Sequence, residues 1–202
     1  MVSIVTAICL GVCLSAACGL RVFLPFLVVS IAAKCGMLEL RDSWLWIGSW
    51  PALIAFSTAT VVEITAYYVP WLDNALDSIA TPAAGIAGTL MTVAVMPADM
   101  SPLYTWCTGI IVGGGVATSV RLVAAGARPP LNSRDPFILV NHRIFFFFES
   151  LGSVGISVWA LSMPIIVSAI VMILFYVMFY LTYTEGGKSI FESHDSGNKL
   201  MQ

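Results

Sequence analysis

The sequence is short of charged residues. Only 10% of its 202 residues are Asp, Glu, Lys or Arg, whereas an ordinary soluble domain carries about 25%. Because 59% of the residues are hydrophobic, most side chains have no water to face, and we expect the surrounding solvent to be lipid. In lipid every backbone N–H and C=O must be satisfied within the chain, which leaves helices or closed barrels.

The alternation of apolar and polar residues that marks barrel strands is also missing. The apolar runs are long and apolar on all sides, so the sequence predicts an all-α fold, a polytopic transmembrane helix bundle. The first run, 2–33, lacks a basic start and is longer than the apolar part of a signal peptide. We therefore expect it to be retained as a span.

Patterns typical of enzymes and metal sites are lacking as well. The five cysteines form no CxxC or metal-ligand spacing, and no catalytic arrangement can be built around His142 and His194. A net charge of −2 without a basic patch argues against nucleic-acid binding. We expect a protein that is not an enzyme and has no cofactor or metal, with membrane lipid, other membrane proteins or a second copy of itself as partners.

Five or six spans are predicted when each takes about 20 residues. The last run, 144–183, is divided by Pro164, so it is either one kinked helix or a hairpin of two spans. We expect residues 1–183 to form one transmembrane domain and residues 184–202 a polar, disordered tail. The candidate spans are 4–31, 51–69, 82–96, 103–127 and 144–183.

Between the second and third candidates, residues 71–80 predict a short amphipathic helix. Trp71, Ala75 and Ile79 share one helical face, and Asp73 and Asp77 share another. Such a helix lies at the membrane interface or lines a polar cavity.

A shift of 100 residues places Arg21 over Arg121. In both segments two small residues, four apart, precede the arginine, and a Ser-X-Pro echo at 49–51 and 162–164 accompanies them. If three spans precede the second copy, the halves 1–100 and 101–183 form an inverted repeat, a common plan of secondary transporters. Chance similarity between common residue types is the alternative.

Arg21 lies deep within its apolar run. A charge at the bilayer centre costs about 2.5–3.5 kcal/mol, so such a residue faces the bundle interior and has a partner. Glu63 is the expected partner, with Asp73 and Asp77 as alternatives, whereas Arg121 lies nearer its helix end and can snorkel to the headgroups. The functional interpretation is a substrate or ion path along these five residues, and the structural one is an ion pair that locks the helices.

Small residues predict close helix crossings, because they let backbones approach in lipid. The triplet at 113–115 either packs closely or belongs to a broken helix beside a cavity. The expected packing positions are Ser15, Gly19, Gly85, Gly88, Gly113, Gly114, Gly115 and Ser119.

Three segments resemble a family of bacterial membrane proteins known mainly as a domain of unknown function. They are residues 15–21 with Leu24 and Pro25, residues 71–88, and residues 113–126, within a similarity that extends over roughly 5–185. The resemblance implies a helical bundle in the inner membrane and no established activity. The stretch 134–148 departs from the family pattern.

The sequence thus predicts a small transporter or channel-like protein with a polar site between its two arginine-bearing helices. The alternative is a structural or accessory subunit that binds a larger membrane complex through its small-residue faces. A lipid-modifying enzyme is the weaker third interpretation, since no nucleophile or metal cluster supports it.

Overall fold

A computed structural model describes residues 4–66, 70–127, 136–177 and 180. Every regular element in these ranges is a helix, which confirms the predicted all-α fold. The predicted disordered tail, 184–202, lies outside the described residues. The helices are α1 (Ile4–Leu20), α2 (Phe23–Lys34), a 3₁₀ helix (Asp42–Gly48), α3 (Trp50–Ala66), α4 (Pro70–Val95), α5 (Pro102–Thr108), a π-helical segment (Gly109–Gly114), α6 (Gly115–Ala127), α7 (Pro136–Ser162) and α8 (Pro164–Val177).

Two helical stretches are long and apolar enough to cross a membrane, Pro102–Gly126 and Ile144–Ser162. A third is added if the 3₁₀ helix and α3, which meet at an angle of 63°, count as one span. Helices suited to a membrane are therefore present, but the predicted five or six spans are not confirmed. One reason is that the candidate span 4–31 is divided into helices of 17 and 12 residues, each short of a full crossing.

The boundaries of one other pair of predicted segments also differ from the prediction, whereas the predicted division at Pro164 is present. The amphipathic segment 71–80 and the candidate span 82–96 form one helix, α4, of 26 residues, which continues through Pro82. In the last apolar run, α7 ends at Ser162 and α8 begins at Pro164. Proline at the first position of a helix removes an N–H that has no intrahelical acceptor there.

Helix α1 lies at the centre of the packing. All of its residues from Leu10 to Gly19 are buried, and α4, α6 and α7 pack against it. A helix that is apolar on every side is typical of a protein core or a membrane span. The arginine that follows α1 is therefore carried into the interior of the bundle.

Helices α2 and α3 pack antiparallel. The first amide groups of α2 meet Glu63 near the end of α3, while Lys34 at the end of α2 lies 3.5 Å from the ring centroid of Trp50 at the start of α3. Between these ends, the rings of Phe26 and Phe56 are 5.2 Å apart. This pairing brings Glu63 to the point where α1 gives way to α2.

Candidate functional site

The chain breaks its helix at Arg21 and Val22, between α1 and α2. Pro25 gives a physical reason, because a proline ring clashes with the carbonyl group four residues earlier, which here belongs to Arg21. The first N–H groups of α2 consequently have no acceptor within the helix. They must find one elsewhere in the interior of the bundle.

Glu63 supplies those acceptors. Its Oε1 atom accepts a hydrogen bond of 2.9 Å from the Val22 amide, and its Oε2 atom one of 3.1 Å from the Phe23 amide. Glu63 is only 5% exposed, so this is a buried carboxylate at the positive end of a helix dipole. The carboxylate compensates for the broken helix.

Arg21 has a different set of contacts. Its Nη2 atom donates a hydrogen bond of 3.1 Å to the carbonyl oxygen of Phe146, and its Cζ atom lies 5.2 Å from the ring centroid of the same residue. Arg21 is 2% exposed. Arg21 lies at the break, and Glu63 binds the amides that follow it. The hydrogen bonds described here run from Arg21 to a main-chain carbonyl of α7, and from the amides of Val22 and Phe23 to Glu63.

Two further charged side chains are buried. Arg121 on α6 is 3% exposed, so protein encloses its side chain and it does not snorkel to the headgroups. Glu149 on α7, which is not among the predicted path residues, is 5% exposed. It is the one charged residue in the apolar stretch 144–184, and that isolation is the signal that finds it.

Glu149 and Arg121 belong to helices that line a common cleft. The cleft has a volume of about 210 Å³ and lies between α1, α6, α7 and α8. Leu20, Val120 and Glu149 are among its lining residues. Among the described residues, buried charges thus come from four different segments of the bundle: Arg21, Glu63, Arg121 and Glu149.

Buried hydroxyl groups connect α1 to α4. Ser15 Oγ donates a hydrogen bond of 2.9 Å to the carbonyl oxygen of Gly88 and lies 2.9 Å from Thr92 Oγ1. Thr92 Oγ1 in turn lies 3.4 Å from the carbonyl oxygen of Gly11. Both side chains are fully buried, so their hydrogen bonds need partners within the protein.

Glycines make the crossing between α4 and the π-helical segment close. A Cβ atom added to Gly88 would lie 2.5 Å from Ala117 Cβ and 2.6 Å from the carbonyl oxygen of Gly113. One added to Gly113 would lie 2.5 Å from the carbonyl oxygen of Gly88. These distances are shorter than real Cβ contacts, so no larger residue fits without a shift of backbone.

The remaining expected packing positions divide into two groups. At Gly19 an added Cβ would lie 2.6 Å from the Ala117 carbonyl oxygen. Cβ atoms added at Gly85 and Gly114 would lie 2.7 and 2.8 Å from the hydroxyl oxygens of threonines. Gly115 differs, because an added Cβ there would meet nothing within 4 Å in the described part of the chain. Ser119 is half-buried.

The amino-acid sequence matches the model of the family described as Domain of unknown function (DUF4126) over residues 8–184. The chain belongs to this family. The predicted membership of a family of unknown function is thereby confirmed. Neither a curated protein nor a solved structure matches the chain.

The matched region of this DUF4126 protein contains all four buried charges. Asp73 and Asp77, the other expected path residues, lie on α4, but their side chains are outside the described residues. In the described ranges no three His, Cys, Asp or Glu side chains come together as metal ligands. The arrangement at the α1–α2 break can hold an anionic group against main-chain amides and a cation against a carbonyl group.

Proposed function

We propose that this protein is a small transporter or channel-like protein of the bacterial inner membrane. The solute would pass the break between α1 and α2. The observation that carries the proposal is a helix interrupted within the bundle, with its free amide groups bound by the buried carboxylate of Glu63. Secondary transporters build their binding sites from discontinuous helices whose N-termini face anionic groups.

The energetics of the break support this interpretation. An uninterrupted helix would satisfy its own amide groups and would need no buried carboxylate. Ionisable side chains within an apolar bundle are expensive, and they commonly mark ion and substrate paths. Burial of Arg21 and Glu63 is therefore energetically unfavourable, and a role in solute passage would explain why both are present.

The conformation described here corresponds to a closed state in this proposal. Arg21 and Glu63 are almost inaccessible, so a solute would reach them only after α3 moves away from the start of α2. The π-helical segment Gly109–Gly114 offers a second place for adjustment, since π-helical turns within α-helices are frequent at functional sites.

Flux measurements on reconstituted vesicles test the proposal. Purified protein would be placed in vesicles that report H⁺, Na⁺, K⁺ or Cl⁻ movement, and compared with protein-free vesicles. We expect flux of at least one of these ions to depend on the protein and to fall at least tenfold in Glu63→Gln. The exposed Glu39 provides the control, since Glu39→Gln should retain the flux.

The flux experiment also has to separate function from folding. Each variant would be checked for a single elution peak in detergent and for its thermal midpoint. Leakage equal to that of empty vesicles for all four ions, or equal flux from folded Glu63→Gln and wild type, would contradict the proposal.

A specific observation also favours the accessory-subunit alternative. Gly115, Gly126 and Gly155 are exposed, and a Cβ atom at each would meet nothing within 4 Å in the described ranges. Exposed small residues on apolar helices allow a helix of another protein to pack closely against them. Gentle extraction from native membranes followed by mass spectrometry tests this alternative: stoichiometric partner proteins support it, and a chain that elutes alone or only with itself argues against it.

A further inference from the structure

A second polar site lies at the end of the bundle opposite the α1–α2 break. There the 3₁₀ helix, the end of α4 and the start of α5 surround an open cavity of about 410 Å³, a volume within the usual range of about 300–1,000 Å³ for ligand sites. The residues that matter for its chemistry are Arg41, Ser43, Trp44, Trp46, Thr105 and Trp106.

Arg41 is held in place by the chain around it. Its amide N–H donates to the carbonyl oxygen of Ala94 at 3.0 Å. Its Nη1 atom donates to Pro97 O at 3.2 Å and to Thr105 Oγ1 at 3.0 Å, and its Nη2 atom to Met100 O at 3.2 Å. Because these contacts fix the guanidinium group before any ligand arrives, binding would require little additional ordering.

The Arg41 guanidinium retains donors for a ligand. Within the described part of the chain, its hydrogen bonds use both hydrogens of Nη1 and one of Nη2. The Nε–H and one hydrogen of Nη2 remain as donors. The N–H groups of a guanidinium match the oxygen atoms of a phosphate or carboxylate.

The charge of the cavity selects an anion. Among the described residues that line it, Arg41 is the one charged side chain. The neighbouring Asp42 lines a different cavity, together with Lys34 and Glu39. The Ser43 hydroxyl adds a neutral donor for an anionic oxygen.

The tryptophans place this cavity at a membrane interface. The ring centroids of Trp44 and Trp46 on the 3₁₀ helix are 6.3 Å apart. This helix meets α3 at an angle of 63°. Trp106 is exposed on α5. Indole rings collect at the level of the lipid headgroups, where one edge meets hydrocarbon and the other meets water. At this level the phosphate groups of phospholipids are abundant anions.

We propose that the Arg41 cavity binds the phosphate group of an anionic phospholipid, with Arg41 as the phosphate ligand and Trp44, Trp46 and Trp106 against its glycerol and upper acyl region. The site is separate from the α1–α2 break, so this inference does not depend on the proposed transport function.

The test uses the full chain purified in detergent and titrated with dioleoylphosphatidylglycerol or dioleoylphosphatidylcholine. We expect phosphatidylglycerol to raise the thermal midpoint and to remain bound in native mass spectra. Phosphatidylcholine, whose choline cation would lie near the Arg41 guanidinium group, should bind more weakly. Arg41→Lys keeps the charge but loses the planar pair of donors, and we expect it to weaken phosphatidylglycerol binding at least fivefold.

Because Arg41 also anchors the loop 97–101, its variants can lose stability for another reason. Trp106→Ala therefore provides the second variant, since that side chain lines the cavity and is exposed. We expect it to weaken phosphatidylglycerol binding at least threefold, whereas Trp159→Ala, which removes an exposed tryptophan of α7 away from the cavity, should bind as wild type does.

Several outcomes would overturn this inference. One is equal stabilisation by the two lipids, and another is equal loss of binding in Trp106→Ala and Trp159→Ala. A third is stabilisation by inorganic phosphate at the same concentration as phosphatidylglycerol, because the ligand would then be a free anion. Binding of phosphatidylglycerol by folded Arg41→Lys as tightly as by wild type would also exclude Arg41 as the phosphate ligand.

Discussion

The Oε1 atom of Glu63 lies 2.9 Å from the amide nitrogen of Val22, across the break between α1 and α2. The second carboxylate oxygen accepts from the next amide, that of Phe23. One side chain of α3 therefore accepts the hydrogen bonds that carbonyl groups of a continuous helix would accept. It does so with a negative charge at the positive end of a helix. This relationship makes the fold of the first two helices depend on a residue more than 40 positions away.

Replacement of Glu63 should expose that dependence. We expect Glu63→Ala to lower the free energy of unfolding by about 2–4 kcal/mol, since it removes two charge-assisted hydrogen bonds and leaves two buried amides without an acceptor. Glu63→Gln should be milder, because one side-chain oxygen still accepts. Thermal unfolding in detergent measures both, and Glu39→Gln at an exposed position should change little. Equal stability of Glu63→Ala and wild type would show that the amides find another acceptor.

Arg21 and Lys34 offer a comparison between a buried and an exposed cation on an aromatic ring. Arg21 lies 5.2 Å from the ring centroid of Phe146 in the interior, and Lys34 lies 3.5 Å from that of Trp50 at an exposed position. We expect Arg21→Ala to cost about 3–5 kcal/mol, as removal of one member of a buried charged group does. Lys34→Ala should have a far smaller effect, because water screens an exposed cation.

Denaturant titration of the two variants in the same detergent checks this ranking. Arg121→Ala belongs in the same series, because Arg121 is as deeply buried as Arg21. We expect a large loss of stability from it as well. A loss from Arg121→Ala no larger than that from Lys34→Ala would mean that burial of this arginine contributes little to the fold.

Gly88 and Gly115, which differ in packing, should respond in opposite directions to the same substitution. Gly88→Ala places a methyl group 2.5 Å from Ala117 Cβ and 2.6 Å from a carbonyl oxygen, and such overpacking costs about 1–3 kcal/mol. Gly115→Ala meets nothing within 4 Å in the described part of the chain. That variant should be neutral or more stable by up to about 1 kcal/mol, the difference in helix propensity between glycine and alanine. Thermal midpoints of the two variants give the result, and a loss in Gly115→Ala would reveal a partner at that face.

The buried hydroxyl pair can be measured with a double-mutant cycle. Ser15→Ala, Thr92→Val and the double variant isolate the interaction across the 2.9 Å contact between the two oxygen atoms. Hydrogen bonds between membrane helices average about 0.6 kcal/mol in such cycles, and we expect a coupling of this order. Thr58→Val removes a hydroxyl whose hydrogen bonds, among the described residues, lie within its own helix, so it should show no coupling with Ser15→Ala. A coupling of zero between Ser15 and Thr92 would mean that each hydroxyl is satisfied by a carbonyl group alone.

Part of the candidate site could be predicted from the sequence, and part could not. Arg21 and Glu63 were recognisable because a charge in an apolar run has to be enclosed by protein. Their hydrogen-bond partners were not recognisable, because the amides of Val22 and Phe23 become available only when the helix breaks. Glu149 carried a usable signal, because it is the one charged residue among the 41 at 144–184, but that signal does not give the helices that enclose it.

The sequence by itself determined the type of secondary structure and the presence of helices apolar enough to span a membrane. Both follow from composition and from the length of apolar runs, which are local properties and need no knowledge of neighbours. Family membership likewise follows from the order of residues over 8–184. The tertiary structure decided which residues face the interior. Arg121 is enclosed although it lies near a helix end. Gly113 is in tight contact, whereas Gly115 meets no neighbour within 4 Å among the residues that the structure describes. Burial and close crossing depend on where a second helix lies, and that position is set by the packing of the whole bundle.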